Sequence, residues 1–170
     1  MGCGCHGWPG KQTRPTGVAA HMTAPTEYDP DLLRIVADHK QSILITLRRD
    51  GRPQSSNVVH VWDAESGSAV ISVTATRAKS RNVERDPRVS LHVLGDGFFS
   101  GYAVVEGIGE LTPIATAPDD ETVQALVDYY RAFSGEHPDW DDYRQTMVTE
   151  QRRLLRIRPE KIYGMTRLPG

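Results

Sequence analysis

The sequence predicts a mainly β domain, a small antiparallel barrel of about six strands with flanking helices. Three observations carry this. Apolar and polar residues alternate over several short runs, as in Ser42–Arg49 and Pro53–Trp62. Compact turns such as Asp50-Gly51 and Gly95-Asp96-Gly97 separate those runs. Helical periodicity is confined to a few segments and does not alternate regularly with strands, which argues against a doubly wound parallel sheet.

The elements follow in order. Tyr28–His39 reads as an amphipathic helix: Asp29, Pro30 and Asp31 open it, and Leu32, Leu33, Ile35 and Val36 form its apolar stripe. In the first strand Ile43, Ile45 and Leu47 alternate with Ser42, Leu44 and Thr46, and Asp50-Gly51 makes a hairpin turn. Pro53–Trp62 is the second strand, Glu65–Ser68 a turn, and Ala69–Ala75 the third strand. A short helix then starts on Thr76 as N-cap and ends at Asp86-Pro87, since a residue before proline is pushed out of the helical region. Arg88–Leu94 is strand four, and Tyr102–Pro113 is a long strand in which Gly107 and Gly109 permit a bend or bulge. Asp119–Ser134 is a helix with a core stripe of Val123, Leu126, Val127, Tyr130 and Phe133. Trp140–Arg152 is a further helix and Leu154–Met165 the last strand. Side chains fill the inside of so small a barrel, so a large cofactor must lie outside it or in a groove between subunits.

The 170 residues suffice for one domain, placed at 27–170. Residues 1–26 are rich in Gly, Pro, Lys and Thr and read as a disordered extension. Met22 looks like a more natural start, so residues 1–21 are expected to be a tail or an extended gene start. Cys3 and Cys5 are the only cysteines. With His6 they lack a second ligand cluster, so no metal site is assigned, and no disulfide enters the fold. The N-terminus has no apolar segment of the secretory kind. No apolar run reaches membrane-spanning length, and the expected location is the cytoplasm. A net charge of -2 without a broad basic face argues against nucleic acid as a partner. Charge is uneven, however. Asp119–Asp142 holds eight acids and one base, and Arg144–Gly170 seven bases and two acids. These read as surfaces facing solvent or each other, and the arginines could also serve an anionic cofactor tail.

The most informative stretch is Ile71–Arg88. A strand rich in Ser and Thr runs into a helix whose first turns carry Arg77, Lys79 and Arg81. Cations at the positive end of a helix are unfavourable, by about 0.3–1 kcal/mol each. The arrangement makes sense when an anion sits there, held by free backbone N–H groups and the basic side chains. Thr74–Asn82 is therefore read as a phosphate clamp, the plain alternative being a solvated basic helix. No Ser/His/Asp triad, paired carboxylates or metal cluster appears, and no catalytic residue is assigned. Tyr102 and His60 are the side-chain candidates for a proton donor, with solvent the alternative.

Four segments carry a resemblance: Asp50–Val58 (DGRPQSSNV), Ile71–Ser90 (ISVTATRAKSRNVERDPRVS), Tyr102–Thr112 (YAVVEGIGELT) and the acidic helical stretch Ala117–Val148. Through them the chain resembles the pyridoxamine-phosphate-oxidase-like split β-barrel superfamily, and within it the deazaflavin-dependent oxidoreductases that use coenzyme F420. The resemblance implies a homodimer with two cofactor sites at the subunit interface. It implies that Ser72 and Val73 lie under the ring, and that Pro53, Gln54 and Asn57 border the ring and its polar edge. Arg77, Ala78 and Lys79 would take the phosphate, with Asn82 supporting them. Phe98 or Phe99 would cover the ring from the partner subunit, although the FFSG segment departs from relatives there. The implied activity is hydride transfer from reduced F420 to a small unsaturated or heterocyclic acceptor. The alternatives are an FMN-dependent oxidase of the pyridoxamine-phosphate type and a non-catalytic binder of the cofactor.

Overall fold

The computed structural model describes residues 28–97 and 99–166. Its elements are α1 (Pro30–Asp38), β1 (Gln41–Leu47), β2 (Pro53–Val59), β3 (Val61–Asp63), β4 (Ser68–Thr74), α2 (Ala78–Arg85), β5 (Arg88–Leu94), β6 (Tyr102–Leu111), α3 (Glu121–Ser134), α4 (Trp140–Thr149) and β7 (Arg152–Met165). The strands form one antiparallel sheet in the order β2-β1-β5-β6-β7-β4-β3. The expectation of six strands is corrected to seven, because the run Pro53–Trp62 breaks at His60. β2 and β3 then lie at opposite edges of the sheet although one residue joins them. Only a curled sheet can bring its two edges that close, and a half-barrel results.

His60 makes the break. It is fully buried, and its backbone N–H donates to Lys40 O at 2.8 Å, the last rung of the β1–β2 pairing before the chain crosses to β3. Its Nε2 lies 2.8 Å from the Val36 carbonyl and its Nδ1 3.0 Å from Ser42 Oγ. A carbonyl only accepts, so Nε2 carries the proton and Nδ1 accepts from the Ser42 hydroxyl. One imidazole thus ties α1 and β1 to the seam between β2 and β3.

The alternation of each strand fills the inside of the curl. Leu44, Ile71, Val73, Leu91, Val93, Val105, Leu155 and Ile157 meet there, with Val36 of α1. Gly107 sits at the bulge between β6 and β7, where an added Cβ would run into the Arg158 carbonyl. A second core lies outside the sheet, where Val70 and Leu154 pack beneath Val123, Leu126, Val127 and Tyr129 of α3 and Tyr143 and Met147 of α4. Tyr129 is buried in it, whereas Tyr130 and Phe133, expected in that stripe, are half-exposed.

Helix α2 plugs one end of the curl. Val83 enters the inner core. Asn82 Nδ2 donates to Thr46 Oγ1 at 3.0 Å and to Gln54 Oε1 at 2.9 Å, which secures β1 and β2. Arg85 donates to the Leu47 carbonyl, Ser80 Oγ donates to Thr74 O on β4, and Glu84 pairs with the buried Arg153 of β7.

Burial holds the His60 imidazole below its ordinary value near 6.5. The unfolded chain therefore takes up a proton at a higher pH than the folded one, and this contribution to stability is complete above pH about 6.5 and lost as pH falls through the folded value. Urea unfolding should show stability falling from pH 7 towards pH 5, and His60→Asn should flatten that slope. His60→Ala should cost about 2–4 kcal/mol, through a cavity and two unpaired polar partners.

Candidate functional site

β4 alternates as it must, with Ala69, Ile71 and Val73 inside the curl and Val70, Ser72 and Thr74 on the other face. Val70 is covered by α3, and Ser72 and Thr74 open onto a groove. The groove holds about 520 Å³ and runs between β2 and β4, the split that no ladder closes. Gln54 and Ser56 line one side; Ser72, Val73 and Thr74 line the other. Arg77, Ala78, Lys79 and Arg152 complete it.

The start of α2 faces this groove. Its N-cap is Arg77, not Thr76, and no side chain caps it. By contrast α1, α3 and α4 begin on Asp29, Asp120 and Asp139, whose carboxylates accept first-turn N–H groups. Among the described residues, nothing accepts from the backbone N–H groups of Ala78, Lys79 and Ser80. Nor do the side chains of Arg77 and Lys79 make any ion pair or hydrogen bond among those residues. Arg152, across from Thr74 in the β4–β7 ladder, is the third cation, and Glu150 accepts from its Nε at 2.8 Å. Burial, then the charges of Arg152 and Arg77, lower the Lys79 ammonium from its usual value. Three cations around free N–H groups, with one carboxylate among them, are an arrangement that could hold an anion.

Of the residues singled out from sequence, the structure brings Gln54, Ser72, Val73, Arg77, Ala78 and Lys79 to this groove. Val73 offers only backbone, because its side chain is core. Asn82 lies behind the groove and acts through Gln54: by accepting from Asn82, the Gln54 carbonyl oxygen leaves the amide NH2 to point elsewhere. Strand alternation sets Pro53 and Asn57 on the face of β2 opposite Gln54. Asn57 borders an adjoining groove with Ser72, Lys79 and Arg152. Phe99 is 74% exposed in the turn after β5, and Phe98 falls outside the described residues, as do Cys3, Cys5, His6 and the 1–26 extension. His60 is sealed in the seam with both ring nitrogens engaged, so it is no proton donor to a ligand. Tyr102 stacks edge-on against His92, away from the groove. Ser56 was not singled out from sequence, and Arg152 only as one of the arginines of Arg144–Gly170 open to an anionic cofactor tail. Arg152 becomes legible only once β7 is registered against Thr74.

A family model described as pyridoxamine 5'-phosphate oxidase matches residues 28–166. Among solved structures, a conserved hypothetical protein of Mycobacterium tuberculosis is 22% identical, with 85% of this chain and 91% of that one covered and a TM-score of 0.64. An F420 reductase is 26% identical, with 82% of this chain and 98% of that one covered, at a TM-score of 0.53. A heme binding protein from Mycobacterium smegmatis is 19% identical, with 82% and 54% covered, at a TM-score of 0.62. The first and third share the fold alone.

Arg77→Asp should install the cap that α2 lacks and remove one of the crowded cations. Urea unfolding of the ligand-free protein should show a gain of about 0.5–2 kcal/mol. Binding of inorganic phosphate, followed by the chemical shifts of the α2 amides, should be lost in the same variant.

Proposed function

The chain belongs to the pyridoxamine 5'-phosphate oxidase family, and from that premise we propose that it is an oxidoreductase that binds coenzyme F420 and passes a hydride from its reduced form to a small unsaturated or heterocyclic acceptor. The observation that carries this reading is the uncapped, cationic start of α2 on an open groove. The 26% identity to an F420 reductase, over nearly all of that chain, supports this cofactor. FMN is the second reading, favoured by the family that the model describes.

When bound, a deazaflavin supplies a hydride-donating carbon where a flavin has N5, and it handles single electrons and oxygen poorly. The chain's own residues bind and orient. Arg77 offers a planar fork and Lys79 a point charge to the phosphate, and the N–H groups of Ala78, Lys79 and Ser80 complete the cradle. The Gln54 amide, steadied by Asn82, is free to donate to a carbonyl on the ring's polar edge. Ser72 of β4, which lines the groove, would flank the ring. The Tyr129 and Tyr143 phenols, raised by burial, the latter to about 12, keep their protons at neutral pH. A proton needed at the acceptor comes from solvent in this reading.

The working unit in this reading is a homodimer. In the ladder, Asn57, Ile43, His92, Val104 and Tyr163 stand in one row on the outer face. Val59, Tyr163 and Met165 are large apolar side chains left over a third exposed. In this reading a second copy covers this face. Among the described residues no helix is long and apolar enough to cross a membrane.

Titration with F420 and FMN side by side tests the cofactor. F420 fluorescence should change on binding, FMN should bind more weakly, and the purified protein should be colourless in the flavin region. Tighter binding of FMN would move the reading to the second cofactor. Lys79→Ala should weaken binding by about 1–3 kcal/mol, and unchanged affinity would remove the clamp. Sedimentation should give a dimer for the native chain and a monomer for Ile43→Glu at equal helix content. A native monomer would overturn the shared site.

A further inference from the structure

A second groove, of about 390 Å³, continues from the first at its cationic end. Ser72, Lys79 and Arg152 belong to both. Beyond them the walls turn aromatic and apolar: Tyr129, Tyr130, Phe133, Tyr143 and Met147, facing Val58 and Val59 of β2. Two of its three tyrosines direct their hydroxyls to the backbone. Tyr129 donates to Val59 O at 2.9 Å and Tyr143 to Leu126 O at 3.1 Å, so these two present rings and not hydroxyls. Tyr130 is held edge-on by Phe133 and Tyr143, with centroids 5.1 Å from each. No carboxylate lines this groove. At its mouth the Arg152 guanidinium is braced by Glu150 through Nε, and its Nη1 reaches Ser72 Oγ only at a long 3.5 Å. The outer N–H groups of that fork are therefore available to an incoming anion.

We propose that this groove binds a planar aromatic or conjugated carboxylate, its ring among Tyr129, Tyr130 and Phe133 and its carboxylate on Arg152. The volume admits a molecule of one or two rings. Stacking suits flat walls of edge-and-face tyrosines, and the anion suits the only charged groups there, both cationic. Because the two grooves meet at Ser72, the occupant lies against whatever the first groove holds. That it is the hydride acceptor rests on the function proposed above; that it binds does not.

The probes are trans-cinnamate and its uncharged counterpart cinnamyl alcohol, titrated calorimetrically into the full chain, with and without saturating F420. Cinnamate should bind at least tenfold more tightly than the alcohol. Arg152→Gln should cut that ratio at least fivefold, while Tyr130→Leu should weaken both probes alike and leave the ratio standing. A ratio near one in the native chain, a ratio unaffected by Arg152→Gln, or displacement of cinnamate by F420 would each overturn the proposal. The ratio is internal to each variant, so a loss of fold lowers both affinities without mimicking the result. Cinnamate selectivity in a chain that binds neither F420 nor FMN would support the groove and defeat the proposed function instead.

Discussion

The single-residue link between β2 and β3 is the constraint from which the rest of this molecule follows. Two strands at opposite edges of a seven-stranded sheet are joined by His60 alone. The sheet cannot lie open. It must curl until its edges nearly meet, and the imidazole holds the seam from inside by reaching α1 and β1 at once. Yet the edges meet at one end only. Away from His60, β2 has no ladder partner on its free side, and β4 pairs with β3 and β7. The wedge between β2 and β4 is the groove. Closing the barrel at one end and opening a binding cleft at the other are one geometric event.

Helix α2 stands at the mouth of that wedge, and its attachments explain why it tolerates a poor start. Bonds from Ser80, Asn82, Glu84 and Arg85 reach β4, β1, β2 and β7, and Val83 joins the inner core. Most of these come from the middle and end of the helix. Tertiary contacts of this kind outweigh the roughly 1 kcal/mol that a missing cap costs. Apart from the Ser80 hydroxyl, the first turn is thereby released from structural duty. Its N–H groups and its cations stay unsatisfied within the described residues, which is the state an anion site requires.

Much of this was legible from residue patterns. The bounds of β5, the bulge at Gly107 and the strand pair Ser72–Val73 before a basic helix follow from alternation, glycine placement and charge at a helix start. The break at His60 was not legible, because Val59 and Val61 continue the alternation begun at Asn57. What marks the crossing is the pair of imidazole bonds to Val36 and Ser42, which no local window contains. The cap of α2 was placed one residue early for the opposite reason. Thr76 is chemically the better N-cap, and the chain uses Arg77. Local preference fails there at a helix start that opens onto a groove, the kind of place where such failures are expected in functional sites. Arg152 did not stand out from the other C-terminal arginines because it is remote in sequence from Arg77 and Lys79 and meets them only through the register of β7 on β4.

The two grooves differ in what builds them, and this bears on how such a protein can change its chemistry. The anion groove is made of β2, β4 and α2, pieces that the closure of the curl already requires. A substitution of Gln54 or Val73 there disturbs the plug or the inner core, whereas Arg77 and Lys79 carry no such bond among the described residues. The aromatic groove is made chiefly of α3 and α4, which rest on a separate core against Val70 and Leu154. Tyr130 and Phe133 are half-exposed and pack against the rim of that core. Their exchange alters the walls that a ligand's ring would meet while Gln54, Ser72 and Lys79 stay in register. The fold thus separates the cationic groove proposed to hold a phosphorylated group from the aromatic groove proposed to select what lies beside it, and the two share Ser72 and Arg152.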